Sequence, residues 1–283
     1  MSIKIVSDRI IDLPAEELKA LDIDTISCYI NMDDKSYSDM EDVFPEDLFM
    51  YMDRTGKVAQ TAAKSPTLYS EFFSQFVARG DTVIHFAASS GISAICENAK
   101  TAAKNYPGKV FVIDTFSLSN GMALLAKYAL QLIRDGETDA EKIVEKIIAK
   151  IPKIQSSFLL DTLDCLYKGG RCSGMKYYAT NLLNIKPVIY MNDAGLMVVR
   201  EKYRGNQDKI LEPYIKATFA KYPDPELDQL YFAYTTYNET VQENILKIVA
   251  KYHNFKNVQF NSASCNSGVH SGRNAIGMFY MRK

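Results

Sequence analysis

The chain lacks an excess of either charge, a long apolar run, paired cysteines and a histidine cluster. Its 33 lysines and arginines face 34 aspartates and glutamates, for a net charge of −1 at pH 7. No positive field is therefore available to hold nucleic acid or an anionic membrane non-specifically. No apolar run approaches the roughly 18 residues that a membrane span needs. The first residues, MSIKIVSD, are not followed by a long apolar segment, so they read as a first strand and not as a secretory signal. The 5 cysteines (Cys28, Cys96, Cys165, Cys172 and Cys265) are odd in number and scattered. That argues against a disulfide framework and for a reducing cytoplasm. Cys165 and Cys172 stand close in sequence, but none of the 3 histidines lies near them, so no metal site is expected. A Walker lysine motif and a nucleophile elbow are missing too. Neither an internal repeat nor a low-complexity linker interrupts the chain.

What is there is an ordinary globular composition, 47% hydrophobic and 24% charged over 283 residues, long enough for two domains. The first half alternates strand and helix. Strands are expected at Ile3 to Val6, Thr25 to Ile30, Thr82 to Phe86 and Val110 to Ile113. Between them, Phe44-Pro45 to Gly56 and Ser65-Pro66 to Gly80 read as helices. Further helices follow Ser89 to Ser93 and span Ser119 to Arg134. Thr138 with Glu141 predicts a capping box for the next helix. This alternation implies a parallel sheet covered on both faces.

The second half reads differently. Pro187 to Met191 and Leu196 to Arg200 flank Asn192-Asp193-Ala194-Gly195, a strong hairpin signal. A helix at Asp208 to Tyr222, a strand at Leu230 to Thr235 and closing strands at Val258 to Phe260 and Ile276 to Met281 follow. Thr236 with Glu239 predicts a second capping box. The fold class expected is α/β: a Rossmann-like parallel-sheet domain over residues 1–155, then an α+β domain with a mixed or antiparallel sheet over 156–283.

Ligands of open parallel sheets sit outside the carboxyl ends of the strands. Four hydroxyl-rich segments are expected there: Ser7-Asp8-Arg9, Thr61 to Ser65, Ser89 to Ser93 and Asp114 to Ser117. Ser93 also precedes a helix, where free N–H groups favour an anion, although serine at that position also serves as a simple cap. The stretch LLDTLDCLYKGGRCSGMKYYATNLLNIKPV, beginning at Leu159, is the most informative of the chain. Gly169-Gly170 lets the backbone turn and presents Arg171 and Ser173 after a short helix. Arginine stays charged and offers five donors, which suits an anion, while a plain glycine helix stop with a solvated arginine gives the same pattern. His270 lies among small residues before a closing strand, either near a site or in an idle loop. Asp8 and Asp114 end strands and read as acid/base groups or as loop caps. His85 reads as a core histidine and His253 as a surface one.

Seven segments together resemble the DegV family of fatty-acid-binding proteins. IVSDRIIDLP is similar to its SDSTxDLP turn, AQTAAKSPTLYSEFF to TSxPSxxEF, and ASSGISAICENA to SSGLSGTYQNA. VIDTFSLSNGMALL resembles VIDSxxxSxGxGLL. FLLDTLDCLYKGGRCSG and LLNIKPVIYMNDAGLMVVREKYRG resemble its most specific stretch, and NSGVHSGRNAIGMFY its HxGPGAxG terminus. The order and spacing hold along the whole chain.

The resemblance implies a two-domain DegV-like carrier with a long-chain fatty acid in a tunnel between its domains. It places the carboxylate on Thr61, Ser93 and His270, with Arg171 organising the charge. No catalytic residue, metal or cofactor is implied. The expected partner is a fatty acid kinase that phosphorylates the presented carboxylate to an acyl-phosphate. Transient membrane contact is compatible with this role, and the oligomeric state is left open. Tunnel-lining candidates beside the motifs are Ile92, Ile95, Phe116, Leu118, Leu182 and Leu183, although core packing accounts for such apolar residues equally well. Three departures stand out. Arg9 replaces a serine and adds a possible anion contact. Ala62 replaces a serine and removes a donor. Arg273 and Asn274 replace a proline and a glycine. A second reading is a small-molecule enzyme of phosphoryl or acyl transfer that uses Asp8, Arg9, Arg171 and His270.

Overall fold

The structure is a computed structural model that describes residues 2–171 and 185–283. Cys172, Ser173, Leu182 and Leu183 lie outside the described residues.

The first sheet has four parallel strands in the order β2 (Asp24–Ile26), β1 (Ile3–Asp8), β6 (Thr82–Ala87) and β7 (Val110–Asp114). All six residues of β6 are buried, as a strand covered on both faces requires. The expected strand from Thr25 to Ile30 is two strands. The chain leaves the parallel sheet after Ile26 and opens a separate antiparallel sheet, β4 (Lys35–Ser38), β3 (Tyr29–Met32) and β5 (Gln60–Ala62). A continuous apolar run cannot report this break, because β3 is defined by pairing with residues far along the chain.

The second sheet has six strands in the order β10 (Met197–Arg204), β9 (Ile185–Met191), β8 (Ile154–Leu159), β13 (Ile276–Arg282), β11 (Pro225–Tyr234) and β12 (Asn257–Ser262). Every pair is antiparallel except β11 with β12. The β9–β10 hairpin turns at Gly195, which adopts φ +68°.

Helices α1 (Ala15–Ala20), α2 (Pro45–Thr55), α3 (Pro66–Val77), α4 (Ile95–Ala103), α5 (Asn120–Arg134) and α6 (Ala140–Lys150) belong to the first half. Phe44 and Gly56 bound α2 as expected, and Ser65 caps α3 by accepting from the Leu68 N–H at 3.4 Å. The two predicted capping boxes are displaced. Asp139, not Thr138, caps α6, and Asn238, not Thr236, caps α9 (Glu239–Ala250). In each case a carboxylate or amide one or two residues further on reaches the first-turn N–H groups better. Helix α5 lies against both sheets and is buried from Asn120 to Ala126. Its neighbours include Ile84 and Phe86 of the first sheet and Tyr231 and Phe279 of the second. Helices α7 (Asp164–Lys168), α8 (Gln207–Lys221) and α9 serve the second half, with Tyr190, Tyr214, Phe232 and Tyr280 filling a second core. One further helix, α10 (Cys265–Ser271), falls where the sequence suggested a loop.

Candidate functional site

A cavity opens between the two sheets. Ile10, Ala88, Ile92 and Leu118 line it from the first sheet's loops. Phe158, Leu160, Ile189, Met197 and Ala233 line it from the second sheet. The wall between is α10, which contributes Asn266, Ser267, His270 and Ser271.

Two buried carboxylates fix that wall. Asp39 accepts the N–H groups of Cys265 at 2.9 Å and Asn266 at 3.0 Å. Asp12 accepts the N–H of Ser264 at 2.9 Å. Anionic groups at the free N–H end of a helix are stabilising, so the start of α10 is pinned from two sides. Burial nevertheless pushes Asp39 up to about 6, with the neighbouring charge of Asp12 contributing. Burial raises Asp12 as well.

The last turn of α10 carries His270 into the cavity. Its Nε2 lies 3.0 Å from Thr61 Oγ1 on β5. Burial, reinforced by the positive charge of Arg171, pushes the imidazole down to about 4. The ring is therefore neutral at physiological pH, with one nitrogen as donor and the other as acceptor. Arg171 donates from Nη1 to the Gly169 carbonyl at 2.7 Å and from Nε to the Ile92 carbonyl at 3.2 Å. It thereby ties the turn after α7 to the loop before α4. Ser93, in that loop, accepts the Ile95 N–H at 3.3 Å, so its own hydroxyl proton remains available.

Thr61, Ser93, Arg171 and His270 thus line one cavity, together with Ile92 and Leu118. Other expected residues sit elsewhere. Thr61 is not at the carboxyl end of a parallel strand, because it pairs with Ile30 in the small antiparallel sheet. Ala62, the next residue on β5, is not among the lining residues, as the alternation of strand side chains explains. Arg9 is buried in a turn after β1, donates to the Leu13 carbonyl at 3.2 Å and does not line the cavity, although its charge reaches Asp12 on the cavity wall. Ile95, the first residue of α4, is buried in the first core. Phe116 is 38% exposed and packs at the hairpin tip beside Gly195.

Asp8 accepts from the Tyr69 hydroxyl at 2.6 Å and from the Ala88 N–H at 2.9 Å, and His85 Nε2 stands 3.3 Å away. Asp114 accepts the N–H groups of Ser90 and Phe116, both at 3.2 Å. Both aspartates are loop ties. His253 is not simply a surface residue, since its ring meets Phe219 edge-on at 4.6 Å. Sequence reasoning missed Asp12, Ser119, Asn266 and Ser267 on the cavity wall. Asp12 lies within the first quoted motif, but only the fold brings it to α10.

The site therefore offers an apolar volume with fixed donors and a cation at one end, the requirements for an amphiphile with an anionic head. The sequence profile of a family described as "Uncharacterised protein, DegV family" matches residues 2–283. The chain belongs to the DegV family. A DegV domain-containing protein of Caldanaerobacter subterraneus is 30% identical over 286 residues, covering 99% of both chains. Among solved structures, one described as fatty acid binding of a DegV family protein from Thermus thermophilus superposes with a TM-score of 0.91. It is 23% identical and covers 100% of both chains. A stearic acid-binding protein from Eubacterium ventriosum gives a TM-score of 0.86 at 24% identity, covering 99% of this chain and 98% of its own. The α/β fold with its two large sheets is that of this family.

Proposed function

We propose that this protein binds a long-chain fatty acid, with the tail in the cavity and the carboxylate among Thr61, Ser93, His270 and Arg171. The observation that carries this is the pairing of an apolar cavity with a neutral histidine, two hydroxyls and an arginine along its wall. The fatty acids held by the related structures support it. Burial is worth about 0.8 kcal/mol per methylene, so a sixteen-carbon chain offers roughly 10 kcal/mol before costs. A buried carboxylate without donors would forfeit much of that. In the tautomer protonated on Nε2, His270 donates to Thr61 and leaves the threonine's own proton for the ligand. Ser93 adds a second donor and Arg171 the compensating charge.

In this reading the residues 1–155 and 156–283 act as two domains with the ligand between them. The protein is a cytoplasmic carrier without catalytic residues of its own. It presents the carboxylate to a separate fatty acid kinase for acyl-phosphate formation. The enzyme alternative needs Asp8, Arg9, Arg171 and His270 around one pocket, and neither Asp8 nor Arg9 lines the cavity.

The test is denaturing extraction of the purified protein followed by mass spectrometry of the organic phase. One long-chain fatty acid per chain is expected, together with uptake of added palmitate by stripped protein. A clean extract and no uptake would overturn the reading. Conversion of the bound acid by an added fatty acid kinase and ATP tests the partnership separately.

A further inference from the structure

Ser119 lines the cavity with a hydroxyl that no group among the described residues satisfies. The residue is 2% exposed and lines the cavity, yet its Oγ has no hydrogen-bond partner among the described residues. Buried hydroxyls are almost always paired, so an unpaired one on a cavity wall marks a place for something else. Its neighbour is a carboxyl. Asp12, 1% exposed and lining the same cavity, feels the Ser119 hydroxyl as a stabilising group without a formed bond between them. On the far side, Asp12 accepts from Ser267 Oγ at 3.1 Å. Ser119, Asp12 and Ser267 thus form a second polar patch, distinct from the Thr61–His270 end. Ser267 precedes His270 by three residues on α10, about 4.5 Å along the helix axis. A carbon chain spans that distance in a few bonds.

A plain alkyl chain laid past this patch leaves the Ser119 hydroxyl unpaired. A chain with a hydroxyl near its carboxyl end satisfies it, donating to Asp12 and accepting from Ser119. We propose that the cavity selects fatty acids hydroxylated close to the head group, with Ser119, Asp12 and Ser267 as the hydroxyl-binding subsite. This rests on the fatty-acid reading above and names its substrate class.

The test measures the affinity of lipid-stripped protein for palmitate, β-hydroxypalmitate and ω-hydroxypalmitate by isothermal titration. The two hydrogen bonds gained, less the cost of desolvating the ligand hydroxyl, predict that β-hydroxypalmitate binds about tenfold tighter than palmitate. The ω-isomer, which puts its hydroxyl at the apolar end, should bind more weakly than palmitate. Ser119→Ala should bring the β-hydroxy to palmitate ratio close to one. Ser119 has a left-handed φ of +54°, so Ser267→Ala reads the same ratio should the first variant fail to fold. Palmitate and β-hydroxypalmitate binding equally well would overturn the subsite, leave the carrier reading standing and assign the patch to a buried water. Binding of neither acid would overturn both.

Discussion

The ring of His270 occupies the space that a side chain on Gly169 would need. A Cβ built there would lie 2.4 Å from His270 Nδ1. Gly169 has an ordinary φ of −76°, whereas Gly170 beside it has φ +73°. The two glycines therefore do different work. Gly170 makes the turn, and Gly169 makes room for the histidine.

Gly169→Ala should keep the fold and damage the site. The new methyl pushes the imidazole off Thr61, and overpacking of this kind costs about 1–3 kcal/mol. Fatty-acid affinity should fall at least tenfold. Gly170→Ala should instead cost about 1 kcal/mol of stability through the left-handed backbone alone, with affinity nearly intact. Titration and urea unfolding of both variants check this. Equal effects on affinity would remove the steric assignment.

Thr61→Val keeps the shape of the side chain and deletes its hydroxyl. Losing the partner of His270 Nε2 and a carboxylate donor should weaken binding by about 1–3 kcal/mol. Arg171→Ala should weaken it too, because the site loses its fixed positive charge. If either variant retains full affinity for palmitate, that residue is structural and not part of the head-group site.

Arg9→Ala should leave fatty-acid affinity unchanged, since its guanidinium is engaged with the Leu13 carbonyl and lines no part of the cavity. Its cost should appear in the melting temperature. A selective loss of ligand affinity at full stability would return Arg9 to the site.

Asp39 and His270 should tilt stability in opposite directions over the same pH range. Folding raises Asp39 from 3.8 to about 6. The folded state holds this proton more tightly, so its contribution is fully present below pH 3.8 and is lost as pH rises through 6. Folding lowers His270 from 6.5 to about 4. Here the unfolded chain holds the proton more tightly, so stability grows as pH rises from 4 to 6.5. Each shift corresponds to about 3 kcal/mol, and the two act against each other in the native protein. His270→Gln should show stability falling between pH 4 and 6, and Asp39→Asn should show it rising. Urea unfolding at four pH values reads the slopes, and parallel curves for the two variants would refute the assignment.

The sequence by itself determined the parallel and antiparallel halves, because buried apolar strands and the Asn192–Gly195 turn act locally. It also placed Asp8, Ser65 and Asp114 at element ends, but not the caps Asp139 and Asn238. It did not separate β2 from β3, since only pairing with β4 and β5 distinguishes them. It did not reveal α10, whose small polar residues have weak helix propensity and whose start is held by Asp12 and Asp39 from more than 200 residues away. For the same reason the tertiary structure alone decided which candidates meet. Thr61 and His270 are 209 residues apart in the chain and 3.0 Å apart in space. Arg9, inside the first motif, is turned to the Leu13 carbonyl. Local chemistry sets the elements, and the two sheets packing around α5 set the distances between them.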